Sequence, residues 1–342
     1  MQEFNDFVAP TSSRAVIFAG SGSDLRILLV RRKFPPYDGL LTLPGGYIKA
    51  DEDGYASIVR KVRKETGVDL SKNFSRYDLC SRRYNQDPRG YQISQNFMFF
   101  LDDKIDCESI LSDGLERPEW YYIDEVESLG FNHGAILCEA IGRLWTKIPG
   151  GFKLNEVKKL PKSYSDHFID WTSPVVFFGG TFNPWHEGHQ ACLDLCPNKN
   201  IIIIPDANPW KTVEEHHSRR CYWNEYRILA EKFSKLGYAT YPGFFGIEDG
   251  NPTVDWLPFV ECQKKDFLMG LDSFISFINW RNIKELIKHI DTLFVVPRNS
   301  KTIFDREDLV KQLLELRPNL QIKFLDNHQY MHLSSSDLRK DN

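Results

Sequence analysis

VVFFGGTFNPWHEGH, residues 175–189, joins a continuously apolar run to two glycines and then to a pair of histidines, and it leads into the helix-like ACLDLC, residues 191–196. A short apolar run bounded by glycines is expected to be a strand buried on both faces. Gly179 and Gly180 let the backbone of the next turn come close to a ligand. The N-terminus of the following helix offers free N–H groups and a positive dipole end to a phosphate. His186 and His189 flank Gly188 and are expected beside that anion. Taken alone, such a turn reads equally well as a plain tight turn.

Downstream, IIII (201–204), DFLMG (266–270), TLFVV (292–296) and QIKFL (321–325) are further apolar runs, separated by helical stretches at 223–235, 283–290 and 306–316. That alternation predicts an α/β unit with a parallel sheet covered on both faces, whose ligands sit at the C-terminal strand ends. Upstream, AVIFAG (15–20) and RILLVRR (26–32) read as strands, LPGG (43–46) as a turn, 54–66 as a helix stopped by Gly67, 76–84 and 91–101 as strands, and 133–146 as a helix. Between the two patterns, residues 147–173 combine little periodicity with several turn formers, the mark of a linker. A chain of 342 residues accommodates two domains. The expected organisation is 1–150, a linker at 151–173, and 174–342.

The complete GGTFNPWHEGH string resembles the signature of the nucleotidyltransferase superfamily and, within it, the nicotinate or nicotinamide mononucleotide adenylyltransferases. The resemblance covers most of residues 174–342 and implies a Rossmann-like doubly wound sheet. It implies that His186 and His189 are catalytic, contacting the ATP phosphates, and that Gly179, Gly180, Thr181 and Phe182 belong to the ATP site. Further segments follow in the family's order. IIIIPDANPWK (201–211) resembles the second strand and its loop, which brings Lys211 to ATP. NPTVDWL (251–257) and DFLMGLDSF (266–274) resemble the segments that place Thr253 and Asp272 at the mononucleotide. Trp280, in FINWRNIKEL, stands where the family has a Trp that stacks on the pyridine ring. An indole face suits a flat cationic ring, and a buried core role stays open for the same residue. HLSSSDLRK (332–340) resembles a phosphate-binding signature, with Ser334, Ser335, Ser336 and Arg339 toward ATP, although serines opening a helix are also an ordinary N-cap. Family members continue into a closing helix where this chain reaches Asn342, so an oligomer or the first domain is the expected cover for Arg339.

LPGGYIKADEDGYASIVRKVRKETGV, residues 43–68, resembles the Nudix box, with Gly46, Glu52, Arg60, Val62, Glu65, Gly67 and Val68 in matching positions. Lys61 and Lys64 stand where the family has glutamates that, with Glu65, hold its divalent metal. Residues 61, 64 and 65 share one helix face. The two lysines turn that face from three negative charges to one net positive charge, which repels a metal ion. Asp51, Asp53 and Glu119 are the carboxylates left for a displaced site. YNQDPRGYQIS (84–94) and LGFNHGAIL (129–137) are similar to segments of ADP-ribose pyrophosphatases and of Nudix-derived regulators of NAD metabolism, while residues 87–90 read equally as a hairpin turn. The resemblance implies an α/β/α sandwich with a mixed sheet, no resident metal, and binding of ADP-ribose or a related dinucleotide without hydrolysis.

Composition narrows the alternatives. The formal charge is −4 and neither half has a basic excess, which argues against a bulk nucleic-acid binder. Those Nudix-derived regulators carry a DNA-binding domain after the Nudix fold, whereas a nucleotidyltransferase follows here. No run approaches the ~18 apolar residues of a membrane span, and MQEFNDFVAP lacks signal-peptide character, so a cytoplasmic protein without membrane contact is expected. The seven cysteines are scattered without a CxxC pair, which disfavours a disulfide framework or a zinc site, and Cys192 and Cys196 read as buried thiols. The expected activity is transfer of the adenylyl group of ATP, with Mg²⁺ arriving on the ATP, to nicotinate or nicotinamide mononucleotide. Two alternatives stay open: a non-catalytic nucleotide-sensing regulator, and a bifunctional enzyme that also hydrolyses ADP-ribose. A homo-oligomer is left open as well.

Overall fold

The computed structural model describes residues 10–20, 24–71, 75–78, 82–84, 87–90, 92–101, 115, 117–145, 169–182, 184–206, 222–245, 252–298, 305–335 and 338. They fall into two compact units, the first comprising the chain up to Trp145 and residues 222–229, the second comprising 169–206 and everything from Ala230.

In the first unit the order is β1 (Thr11–Ala19), β2 (Arg26–Arg31), β3 (Leu41–Thr42), β4 (Gly45–Tyr47), α1 (Gly54–Thr66), β5 (Ser75–Asp78), β6 (Arg82–Tyr84), β7 (Gln92–Leu101), β8 (Glu119–Tyr122) and α2 (His133–Trp145). The sheet runs β3-β2-β1-β7-β5, with β4 on β1, β6 on β7 and β8 on β2. The β1–β7 pairing is parallel, from Thr11 opposite Ile93 to Ala19 opposite Leu101, and the remaining pairings are antiparallel. This is the mixed sheet expected from the sequence. Helix α1 begins where the Asp53 carboxylate accepts the Ala56 N–H at 2.7 Å, a side-chain N-cap. It lays Ile58 and Val62 on Ala15, Ile17, Phe97 and Phe99, all buried, and stops at Gly67 as expected.

One local expectation is corrected. Gly45 and Gly46 of LPGG are strand, opposite Arg14 and Ser13, because a long-range partner overrides a local turn signal. Of the expected strand at 76–84, the described residues form β5 and β6, both paired with β7, and residues 79–81 lie outside the described residues.

In the second unit come β9 (Val175–Gly180), α3 (Glu187–Leu195), β10 (Ile201–Pro205), α4 (Tyr222–Lys235, in this unit from Ala230), β11 (Ala239–Thr240), β12 (Lys265–Gly270), α5 (Leu271–Phe277), α6 (Ile283–Leu286), β13 (Thr292–Val296), α7 (Arg306–Leu316) and β14 (Gln321–Phe324). All pairings are parallel, in the order β11-β10-β9-β12-β13-β14. The chain therefore builds outward from β9 on one side and then crosses to β12 on the other. That reversal opens a crevice at the C-terminal ends of β9 and β12, the usual ligand position in a doubly wound sheet. The core closes over Phe177, whose ring lies 6.3 Å from Phe267 and 5.7 Å from Trp256. The helix expected at 283–290 is α6 followed by a tighter 3-10 turn, Ile287–His289.

Of the linker at 151–173, residues 151–168 lie outside the described residues. Among the described residues no helix is long and apolar enough to cross a membrane. Cys192 and Cys196 are buried free thiols, and burial pushes the Cys192 thiol up to about 12.

Candidate functional site

The turn after β9 is built on an aromatic knot. Phe182 adopts φ +48°, a conformation that is costly for a bulky residue and typical of functional turns. Its buried ring contacts Phe178, Trp185 and His189 at 5.1, 5.2 and 5.1 Å. A Cβ on Gly180 would sit 2.8 Å from that ring, so Gly180 is required by packing, whereas Gly179 is exposed with nothing within 4 Å of a would-be Cβ. Phe182, itself buried, thus packs edge-on against His189.

His186 caps α3. Its Nδ1 accepts the Gly188 N–H at 3.1 Å, so in the neutral ring the proton belongs to Nε2. Burial, with the Arg298 guanidinium second, holds the imidazole below its ordinary range and so neutral at pH 7. Nε2 is itself buried and has no hydrogen-bond partner among the described residues. A buried donor left in that condition costs about 1–3 kcal/mol, which any hydrogen-bond acceptor brought to it offsets. His189 stacks on His186 at 3.8 Å, with its Nδ1 3.4 Å from the His186 N–H. The C-terminal segment joins the same turn, since the Ser335 hydroxyl donates to the Pro184 carbonyl at 3.1 Å. Asp272, in the first turn of α5, pairs with Arg298 at 3.2 Å, just past β13. Thr253 and Trp280 form a second group: Asp255 pairs with Arg281 at 3.2 Å, and the half-buried Trp280 packs edge-on to Phe267 and Phe277. Thr181 lies in the turn and Ser334 beside Ser335, while Lys211, Ser336 and Arg339 lie outside the described residues.

The other candidate lies in the first unit. Lys61, Lys64 and Glu65 of α1 line one cavity of about 280 Å³ together with Gly46. Glu65 accepts the Gly45 N–H at 2.9 Å, and burial outweighs that bond and the nearby cations to push its carboxyl up to about 6. Glu52 and Arg60 pair with each other, with Nε to Oε2 at 2.8 Å, which pulls Glu52 down to about 2. Asp53 serves as the helix cap, and Glu119 accepts the Tyr121 hydroxyl at 2.9 Å. Among the described residues no group of three or more His, Cys, Asp or Glu side chains is placed to hold a metal ion. On this face α1 sets two ammonium groups beside one carboxylate.

The Glu65 carboxyl sets a pH dependence. The native state keeps its proton up to about pH 6, whereas an unfolded chain releases it near the usual 4.5. Native protein thus binds more protons in that window, and folding stability falls as pH rises through it. Glu65→Gln is expected to remove this slope, giving a gain over wild type about 2 kcal/mol larger at pH 8 than at pH 4. Denaturant melts at the two pH values check it.

Sequence reading missed Arg298 and, around the cavity, Arg14, Arg32, Arg89 and the buried His133. Arg298 directly follows an apolar strand run, the position where ligands of parallel sheets sit, and that signal was available. The cavity arginines are scattered in sequence and carry no local mark.

Residues 10–139 match the family model of the NUDIX domain, and residues 177–341 match that of the cytidylyltransferase-like family. An ADP-ribose pyrophosphatase of Methanocaldococcus jannaschii is 32% identical over 114 residues, which are 33% of this chain and 64% of that protein, so the chain spans less than two thirds of that relative. A probable nicotinate-nucleotide adenylyltransferase of Caldicellulosiruptor bescii is 26% identical over 183 residues, covering 48% of this chain and 85% of that protein. The NUDIX domain of Shewanella oneidensis NrtR, solved with ADP ribose, is 25% identical over 40% of this chain and 88% of its own, at a TM-score of 0.36. The two sites thus fall in regions that match different family models, and the chain joins a Nudix domain at residues 10–139 to a cytidylyltransferase-like domain at 177–341.

Proposed function

We propose that the C-terminal domain transfers the adenylyl group of Mg-ATP to nicotinate or nicotinamide mononucleotide, and that the Nudix domain binds ADP-ribose or a related dinucleotide without hydrolysing it. The domains then divide near 150 and 174, and the setting is cytoplasmic. The observation that carries the first half is the buried, unpartnered Nε2–H of neutral His186 at the β9 turn, with His189 stacked on it. The relatives named as nicotinate-nucleotide adenylyltransferases support the acceptor.

In this reading a phosphate oxygen of the mononucleotide attacks the α-phosphorus of ATP, the bond to the β-phosphate oxygen breaks, and pyrophosphate leaves. No covalent enzyme intermediate is needed, so the protein's task is to position the two nucleotides and neutralise charge. His186 and His189 donate to phosphate oxygens as charge develops, and the exposed backbone at Gly179 with Thr181 lets the triphosphate lie close. Arg298, held by Asp272, adds a guanidinium to the same crevice. Lys211, Ser334, Ser335, Ser336 and Arg339 complete the ATP site, while Thr253, Asp272 and Trp280 receive the mononucleotide. Mg²⁺ belongs to the ATP substrate. Pyrophosphate release from Mg-ATP that depends strictly on added mononucleotide tests the proposal.

Trp280→Ala is expected to raise the KM for mononucleotide by about tenfold with little change in kcat, since stacking acts on ground and transition states alike. Steady-state kinetics with varied mononucleotide check this, and an unchanged KM assigns Trp280 to the core.

The lysines at 61 and 64 favour a sensing over a hydrolytic Nudix domain. The bifunctional alternative draws on the relative named ADP-ribose pyrophosphatase, and release of AMP from ADP-ribose decides for it.

A further inference from the structure

The Nudix cavity is lined by five cationic side chains, Arg14, Arg32, Lys61, Lys64 and Arg89, and by one carboxylate, Glu65. The three arginines are already oriented by the protein. Arg14 donates to the Ser13 carbonyl at 2.9 Å, Arg32 to the Pro36 carbonyl at 2.7 Å, and Arg89 to both Asp87 oxygens at 2.8 and 2.6 Å. The lysines differ, because neither ammonium has a hydrogen-bond acceptor among the described residues. Lys61 is the better placed of the two. It is half-buried on α1, and its chain end lies so close over the backbone at Gly46 that a Cβ there would come within 2.6 Å of Nζ. The ammonium end of Lys61 thus lies against the cavity wall at Gly46. There it faces the cavity beside Glu65, itself tied to the Gly45 N–H of the same strand.

Resting on the reading that this cavity binds without hydrolysing, we propose that it is a metal-independent site for a pyrophosphate ester, in which the Lys61 ammonium supplies the positive charge that a divalent cation would otherwise bring. The cations come from β1, the end of β2, α1 and the turn before β7, and so surround the cavity from several sides. One phosphate group turns its oxygens toward fewer elements than that, whereas two linked phosphates meet all of them. Guanidinium forks match paired phosphate oxygens, and the compact ammonium fits between them as a point charge. Glu65 offsets a part of this positive charge and also orients Lys61 by attraction.

The test is calorimetry of the full-length chain with ADP-ribose as the probe, once with EDTA and once with Mg²⁺. The expected result is a Kd equal within twofold in the two conditions, a loss of at least tenfold in affinity for Lys61→Met, and retention within threefold for Lys61→Arg. His186→Ala should leave the binding unaltered, which keeps the signal distinct from the other domain. Binding that tightens tenfold or more with Mg²⁺, or that survives Lys61→Met, overturns the proposal while the binding reading stands. No binding in either condition, or release of AMP, overturns both. If Lys61→Met does not fold, the pair of wild type with and without EDTA and Lys61→Arg still decides.

Discussion

His186→Ala is expected to lower kcat for adenylyl transfer by about 10²–10³-fold, the usual effect of removing one preorganised donor from a developing charge. The reason lies in the geometry of the turn. Gly188 fixes the tautomer through Nδ1, burial keeps the ring neutral, and the remaining Nε2–H has no protein partner among the described residues. The same ring caps α3 through Nδ1 and stacks on His189, so His186→Ala should also cost about 1–2 kcal/mol of stability, far too little to account for that loss of turnover. His189→Ala should also depress turnover, again with a clear loss of stability, because its ring packs against Phe182 and Trp185 at 5.1 and 5.0 Å. For each variant, kinetics and thermal melts are read together, and a fall in kcat under conditions where the variant remains folded assigns the effect to chemistry. A His186→Ala enzyme with wild-type kcat would remove the turn from the reaction.

The second large effect is expected in the Nudix domain. Lys61→Glu combined with Lys64→Glu puts three carboxylates at 61, 64 and 65 on the cavity face of α1. Two charge reversals within a few ångströms of a divalent ion should raise its affinity by on the order of 10²-fold or more, even with strong solvent screening. Mn²⁺ titration followed by electron paramagnetic resonance reads this directly, with circular dichroism as the check on folding. A well-folded variant that binds Mn²⁺ no better than wild type would show that charge alone does not silence the metal face.

Strands β9, β10, β12 and β13 of the second unit were legible because each is buried on both faces and so prints a continuous apolar run. Strand β11 is two residues long and leaves no periodicity to read, and the edge strand β14 alternates exposed and half-buried residues instead of being covered on both faces. Helix α1 was legible to the residue because the cap at Asp53 and the stop at Gly67 are local signals. In contrast, Gly45 and Gly46 were misread as turn because their strand character depends on Ser13 and Arg14, far away in sequence. The sites divide in the same way. A contiguous motif carries His186, His189 and the turn around them. Arg298 needed the sheet order before it could be joined to Asp272. The basic cavity needed the fold, since Arg14, Arg32, Lys61 and Arg89 meet only when β1 pairs with β7 and α1 covers the sheet. The aromatic packing against His189 was likewise invisible, because a phenylalanine at φ +48° has no sequence signature.

The central claim concerns where the α-phosphate of ATP goes. Purified full-length protein should be incubated with ATP labelled at the α-phosphate, Mg²⁺ and, in separate reactions, nicotinate or nicotinamide mononucleotide, and the products separated by chromatography. Label appearing in a dinucleotide with at least one of the two acceptors, matched by an equal yield of pyrophosphate and reduced at least a hundredfold in His186→Ala, is the predicted result. Label that stays in ATP with both acceptors, or that enters a dinucleotide equally well with His186→Ala, would contradict it.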